Sequence, residues 1–460
     1  MTHSSRSALT LGVLSLCLAV VASAQSTYTV TDLGTLGGHY SIGRGINSSG
    51  QVTGRSAFAD DTTLHPFLYS GGTMADLGTL GGAGTNAEGG IGINASGQVT
   101  GGSFTTSGDQ HAFLYSSGVM HDLGTLPGYT GSLGWGINTS GQVAGYSFFP
   151  TGFRAFLYNA GVMSDLGTLG GADSFAYSIN DAGQITGQAD TASSGAHAFL
   201  YSGGSMTDLG VPAGYDSSAG YGINSSAQIT GLLTAGSVLH AFLYSGGAMM
   251  DLGTLGGTES WGYGINSSGQ VVGYSKNAPN VTDFFSRAFL YTPATGMVDL
   301  NNLIPPASGW TLQEAHAIND AGQIAGLGVS PSGAQHAFLL TPVPVHVVGA
   351  GTIAVAHSRI PAAFAFDVKQ PKGSAASGSL VYLNLATGDA IAGKINSLVV
   401  VGNIAYLSGS CVGRQVCTFS IIAQDDDSSS TSKDSLSISG AAITPEGGPL
   451  TSGRIEIQTN

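Results

Sequence analysis

Histidine, aspartate and asparagine recur along this chain at fixed offsets, and each invites a chemical reading. His111, His197, His240 and His336 each open a His-Ala-Phe triplet. Imidazole is the commonest protein ligand for metals, so the repetition raises the question of a metal ring. Zinc, however, needs its ligands converging at about 2 Å on one centre. Each His lies in its own repeat unit, and Arg154 and Arg287 replace it in two others. The expectation is a structural role at the head of a strand, with no metal and no cofactor. The turns Asn-Ser-Ser-Gly and Asn-Asp-Ala-Gly loosely resemble calcium loops, but glycine (Gly45, Gly92, Gly264) stands where the first carboxylate belongs. Calcium needs six or more oxygens, several of them anionic. Asn47, Asn94, Asn138, Asn224 and Asn266 also spell Asn-x-Ser sequons. Five copies at one hairpin position read as turn chemistry, because Asn and Gly tolerate left-handed backbone.

Four carboxylates, Glu259, Glu314, Asp173 and Asp216, could supply an acid and a base for glycoside chemistry, which sets such groups about 5 to 10 Å apart. Nothing in the sequence pairs them. Asp425, Asp426, Asp427 and Asp434 form the densest acidic cluster, in a Ser-rich stretch that reads as a solvated loop. No Gly-x-Ser-x-Gly, His-Glu-x-x-His, Cys-x-x-Cys or P-loop occurs. Aromatic residues offer a different chemistry, stacking against a sugar or a protein partner. Tyr40, Tyr129, Tyr215, Trp261 and Trp310, with Phe148, Phe149, Phe284 and Phe285, fall between the repeated motifs, where exposed loops are expected. Trp135, Tyr177, Tyr221 and Tyr263, three residues before the repeated Asn, alternate in phase with Ile and read as packing.

What must position these residues follows from composition and repetition. The chain has 460 residues, 27 acidic and 13 basic, with 73 glycines and 42% hydrophobic residues. A net charge of −14 argues against nucleic acid, whose phosphates need basic patches. Arg6, an apolar run from Ala8 to Val21 and Ala22-Ser23-Ala24 make a secretory signal peptide over residues 1–24, cleaved near Ala24. That run is too short to span a bilayer. The mature chain is expected outside the cytoplasm, secreted or periplasmic, as a monomer with no membrane span.

Asp-Leu-Gly-Thr-Leu begins at Asp32, Asp76, Asp122, Asp165 and Asp251, with degenerate copies at Asp208 and Asp299. These Asp copies recur with a period of 43 to 48 residues, and seven Asn-centred turns and seven Phe-centred strands accompany them. Each period reads as four short strands: a running into the Asn, b as Gln-Val-x-Gly, c as Ala-Phe-Leu-Tyr, and d as Met-x-Asp-Leu-Gly. That is the content of a propeller blade. The array opens on a lone strand d, Tyr28 to Leu36, and closes on a, b and c, ending at Leu340. Seven complete blades result only if the ends meet, which removes two exposed edges. The sequence therefore predicts an all-β fold, a seven-bladed β-propeller over residues 25–341. The repeated Asp then lies on the outermost strand, where a charge discourages edge pairing.

These motifs resemble secreted bacterial proteins carrying HAF repeats, named for the His-Ala-Phe triplet, over roughly residues 27 to 341. The resemblance implies an extracellular location and no established activity. Residues 342–346 read as a linker. Alternating segments such as Ala363–Val368, Ser379–Leu383 and Arg454–Ile457 predict a second all-β domain over 347–460, a sandwich or small barrel of about eight strands. The run from Val348–Ile353 to Gly447–Leu450 resembles the all-β domain that follows choice-of-anchor modules in secreted bacterial proteins. After signal removal takes Cys17, Cys411 and Cys417 are the remaining cysteines. A hairpin places them opposite each other as a non-hydrogen-bonded pair, about 4.5 Å apart at Cα, so a disulfide is expected.

Loop lengths point at function. From each Phe to the next Asp is nine residues, once ten, whereas Asp to the next Asn ranges from 15 to 20. Variation sits in the d–a and b–c connections, which share one face of a propeller. Loops on a rigid scaffold carry binding. The expected function is recognition of a glycan or protein through that face, with Tyr40, Tyr129, Tyr215, Trp261 and Trp310 as candidate contacts. The alternative is a propeller glycosidase or polysaccharide lyase using channel-mouth carboxylates.

Overall fold

The computed structural model describes residues 28–82, 89–149, 152–193, 195–278, 286–355, 358, 361–371, 376–384, 386, 389–401, 403–412, 417–426, 434–440 and 443–459. Seven four-stranded antiparallel sheets form the blades of a propeller, and an eight-stranded closed barrel follows. Blades 1 to 6 occupy residues 41–76, 89–122, 131–165, 170–208, 217–251 and 260–299, each in the strand order a-b-c-d. Blade 7 takes strands a, b and c from residues 311–342 and its outer strand from Tyr28–Asp32. The pairing runs Tyr28↔Pro342, Val30↔Leu340 and Asp32↔Phe338, so the chain's two ends close the ring.

The repeated motifs explain why each blade folds. The central Phe of strand c is fully buried in all seven blades, at Phe67, Phe113, Phe156, Phe199, Phe242, Phe289 and Phe338. It crosses the glycine that ends the Gln-Val-x-Gly motif of strand b, as in the pair Gly273↔Phe289. A Cβ on Gly273 would stand 2.9 Å from the Phe289 ring, so only glycine lets that ring lie flat on the sheet. The repeated Asp stands on the outer strand of its blade and makes specific contacts there. His111 Nδ1 lies 2.8 Å from Asp122 Oδ2, while Gly124 N donates to Asp122 Oδ1 at 2.7 Å. The same His–Asp pairing recurs at His65–Asp76, His197–Asp208, His240–Asp251 and His336–Asp32, with Arg154–Asp165 as its variant. Each carboxylate pins strand d to strand c and caps the turn that follows. Those histidines are structural, one per blade.

The barrel runs from Val345–Ile353 through Ile443–Thr459, and its first strand pairs with both the second and the last. The sandwich-or-barrel expectation thus resolves to a barrel. Its interior holds Phe364, Phe366, Tyr382, Leu407, Phe419 and Ile438 among others. Strand c of blade 7 extends to Pro342 and the barrel starts at Val345, so the connection is Val343-Pro344 rather than the five residues expected. Asp434 is built into the barrel seam, accepting from Asp426 N at 3.0 Å and Ile455 N at 2.6 Å. Asp427 lies outside the described residues.

The barrel packs against the a–b turn face of the propeller at blades 6 and 7. Gln270 Nε2 donates to Ser397 Oγ at 3.4 Å, and Val399 and Tyr406 join the apolar cluster of Tyr28, Leu303 and Leu340.

Cys411 and Cys417 are joined by a disulfide, with Cα atoms 5.2 Å apart. Cys411 N donates to Cys417 O at 2.9 Å. The pair is therefore the hydrogen-bonded type, not the closer non-hydrogen-bonded type expected, and the wider spacing suits disulfide geometry better. A protein of residues 25–460 should show no free thiol, and its intact mass should rise by two hydrogen atoms on reduction. Reduction should lower stability by about 2 kcal/mol, the short-loop value. Two free thiols under non-reducing conditions would rule the bond out.

Candidate functional site

The seven a strands surround a central channel, and their sequence pattern decides what lines it. Counting back from each Asn, the residue three before it is bulged out of the a–b ladder in every blade: Arg44, Ile91, Trp135, Tyr177, Tyr221, Tyr263 and His316. A bulge re-aims a side chain, and here all seven face the axis. Directly before each Asn stands an isoleucine, and these seven line the channel nearer the turns. The residue between them is small in every blade, glycine in five with Ser178 and Ala317 in the others, and keeps neighbouring inner strands close. A Cβ on Gly92 would meet the Trp135 carbonyl oxygen at 2.6 Å.

Beyond the isoleucines, the repeated asparagines form a continuous ring. Each Asn Oδ1 accepts from the backbone two and four residues on, as Asn138 does from Ser140 N at 3.2 Å and Gln142 N at 3.0 Å. Each Nδ2 donates to its own Gln and to the carbonyl of the next blade's Asn. Asn47 reaches Asn94 O at 3.1 Å, the pattern passes through every blade, and Asn319 reaches Asn47 O at 2.9 Å. These amides are buried and fully paired, which accounts for the sequons and the calcium-like spelling.

Above the isoleucines the channel opens into a cavity of about 460 Å³ with residues from all seven blades in its wall. Blades 3 to 6 make it aromatic. Trp135 meets Tyr177 edge to face at 5.0 Å, Tyr177 meets Tyr221 at 5.2 Å, and Tyr221 meets Tyr263 at 5.9 Å. Trp261 stacks on Tyr221 at 6.0 Å, and Phe175 lies 5.1 Å from Tyr146. From Phe175 an aromatic track leads out through Phe153, 4.8 Å away and exposed, toward Phe148. Burial pushes the Tyr221 phenol up to about 12 and the Tyr177 phenol well above its usual value, so both are neutral hydroxyls at physiological pH.

Blades 7 and 1 supply the charged arc. Glu314 Oε2 lies 2.9 Å from His316 Nε2, and His316 stacks on Tyr263 at 4.7 Å. Burial holds His316 below its ordinary range, with Arg44 adding to the effect. Burial pushes Glu314 up, but His316 and Arg44 outweigh it and leave the carboxyl below the usual range. The other candidate carboxylates are committed elsewhere. Glu259 binds Lys276 Nζ at 2.7 Å, Asp173 accepts from Phe153 N at 2.8 Å, and Asp216 accepts from Gly236 N at 3.2 Å. No cluster of three or more His, Cys, Asp or Glu suited to a metal occurs among the described residues.

Of the five aromatic residues singled out in the sequence, only Trp261 lines the channel, and it does so from strand a (Ser260–Ile265) rather than a loop. Trp310 packs edge to face on the core Phe338 at 6.4 Å. Tyr215 donates to Asp251 Oδ2 at 2.6 Å and contacts His240, bracing a His–Asp pair. Tyr129 packs on the blade core, and the Tyr40 carbonyl accepts from Ala57 N at 2.8 Å. Phe148 and Phe149 end strand b of blade 3, and Phe284 and Phe285 lie outside the described residues. Trp135, Tyr177, Tyr221 and Tyr263, read as packing, are instead the channel wall. The signal that finds them is their shared offset from the Asn together with the ring closure, since an inner strand's inward face looks into a channel and not a core.

No family model matches this chain, and no curated protein matches it. Among solved structures it is similar to TolB from Acinetobacter baumannii, at 10% identity and a TM-score of 0.36 over 69% of this chain and 63% of that one. It is also similar to the extracellular domain of BT4673 from B. thetaiotaomicron, at 10% identity and a TM-score of 0.41 over 86% of this chain and 59% of that one. The chain thus spans about three-fifths of the length of either structure.

Proposed function

We propose that this chain is an exported HAF-repeat protein that binds a glycan or protein ligand, taken into the aromatic mouth of the propeller channel from the variable-loop face. The observation that carries the reading is the asymmetry of the two faces. The a–b turn face is ringed by the hydrogen-bonded asparagines and partly covered by the barrel, whereas the other bears loops of unequal length around the aromatic cavity. A pocket of a few hundred Å³, mostly apolar with a few convergent polar groups, is what ligand sites look like. Export rests on the signal-peptide pattern, and a disulfide suits an oxidising compartment.

The test compares the mature protein with Trp261→Ala on printed arrays of glycans and extracellular proteins. Ligands should be lost on the Trp261→Ala surface and kept by Ser268→Ala, which changes a turn on the barrel side. The reverse pattern would move the site to the other face. Replacing Trp310 in the same protein is not a clean test, because its ring packs on Phe338.

A further inference from the structure

Resting on the reading that a ligand enters the channel from the variable face, we infer that the occupant is the end of a neutral saccharide. Its pyranose ring packs on the aromatic arc of blades 3 to 6 while its hydroxyls pair with the phenols of Tyr177, Tyr221 and Tyr263.

Three observations converge on that chemistry. The arc offers apolar ring faces, which suit the C–H faces of a sugar. Among the described residues, the hydroxyls of Tyr177, Tyr221 and Tyr263 hydrogen-bond to no protein group, and none of them is enclosed. They line the cavity, and each can both donate and accept, as a sugar hydroxyl requires. The indole nitrogens of Trp135 and Trp261, by contrast, are enclosed and contribute only their ring faces. Finally, the charges of the opposite arc already act on one another. Arg44 acts on Glu314 and His316, Arg55 acts on His316 as well, and Glu314 is already bound by His316. A strongly charged guest would compete with those interactions, and a hydrocarbon chain would strand three phenols away from water.

The chain's three tryptophans provide the readout, because two of them, Trp135 and Trp261, line the cavity. A Trp310→Phe protein, which keeps an aromatic ring against Phe338, then reports on the channel tryptophans alone by intrinsic fluorescence. It is titrated with short oligosaccharides of glucose, galactose, mannose and N-acetylglucosamine, and with oligogalacturonate as the acidic arm. At least one neutral sugar should give a saturable change. Tyr177→Phe and Tyr221→Phe, which keep the ring and lose the hydroxyl, should each weaken it about threefold to tenfold with an unchanged melting temperature. Trp261→Ala should weaken it roughly thirtyfold or more. The inference falls if no neutral sugar changes the fluorescence, if oligogalacturonate binds better than every neutral sugar, or if both Tyr→Phe proteins bind as tightly as their parent. A peptide or protein ligand that is lost on Trp261→Ala, with no sugar bound, overturns the saccharide and leaves the channel reading intact. Ligands indifferent to every channel substitution would take both down.

Discussion

A protein of residues 39–460 is expected to aggregate and to lose the cooperative melting transition of its parent of residues 25–460. Blade 7 owes its outer strand to Tyr28–Asp32, and removing it leaves the strand Gln335–Pro342 with an open row of backbone donors and acceptors. Such an edge is a template for pairing with another chain. The deletion also removes Tyr28 and Leu33, both buried, and Asp32, the partner of His336. Loss of those two apolar side chains alone costs roughly 3 to 6 kcal/mol at ordinary burial values. That is a large part of the 5 to 15 kcal/mol about which a domain's stability turns. Light scattering coupled to size exclusion, with calorimetry, measures both effects. Adding a peptide of residues 25–38 in excess should restore the parent's size, because the strand binds as a separate piece to an otherwise complete ring. A truncated protein that keeps its parent's size and melts with it would show that the ring does not depend on this strand.

That closure was legible from the repeat frame alone, since a lone strand d at the start and a lone a-b-c set at the end leave one arrangement without open edges. The a–b hairpin was equally accessible, because Asn and Gly fix its turn, whereas the register that sets the Phe opposite the strand b glycine crosses a connection of variable length and shows only in the structure. The site was less so. Alternation put Tyr177 and Tyr263 on the face shared with Ile179 and Ile265, which is correct. In an ordinary sheet that face is core, however, and only the sevenfold ring turns it into a channel. Trp261 was placed in a loop because the d–a connection varies in length, and its membership of strand a shows only when one counts back five residues from Asn266. Tyr215 and Trp310 do lie in the variable connections, yet one braces a His–Asp pair and the other covers a core Phe. Loop position alone does not separate a binding aromatic from a packing one. Pairing across blades was out of reach for the same reason: the Glu314–His316 couple and the action of Arg44 on it join residues of blades 7 and 1, which adjoin only once the ring has closed.

Substituting one asparagine of the ring should destabilise the propeller as severely as removing a core side chain. Asn138→Ala deletes two donated and two accepted hydrogen bonds at a site where the residue is 2% exposed. Ser140 N, Gln142 N, Gln142 Oε1 and Asn180 O all lose a partner. A buried polar group left unpaired costs about 1 to 3 kcal/mol, and water can reach only some of these four, so a total loss of roughly 2 to 4 kcal/mol is expected. Asn138→Asp should do at least as much harm. It keeps the two acceptances by the side chain but sets a carboxylate oxygen against Gln142 Oε1 and Asn180 O, where an N–H used to donate. Asn138→Ser, which can form an Asx-like turn but cannot reach the next blade, separates the local contribution from the one between blades. If turn chemistry were the whole role of the asparagine, serine would recover nearly all the stability. With a ring of seven amides passing from blade to blade, serine should recover only part of it, and chemical denaturation of the three variants distinguishes the two outcomes. An Asn138→Ala protein within 0.5 kcal/mol of its parent, a surface-like effect, would mean that the ring of amides contributes nothing to holding the blades together.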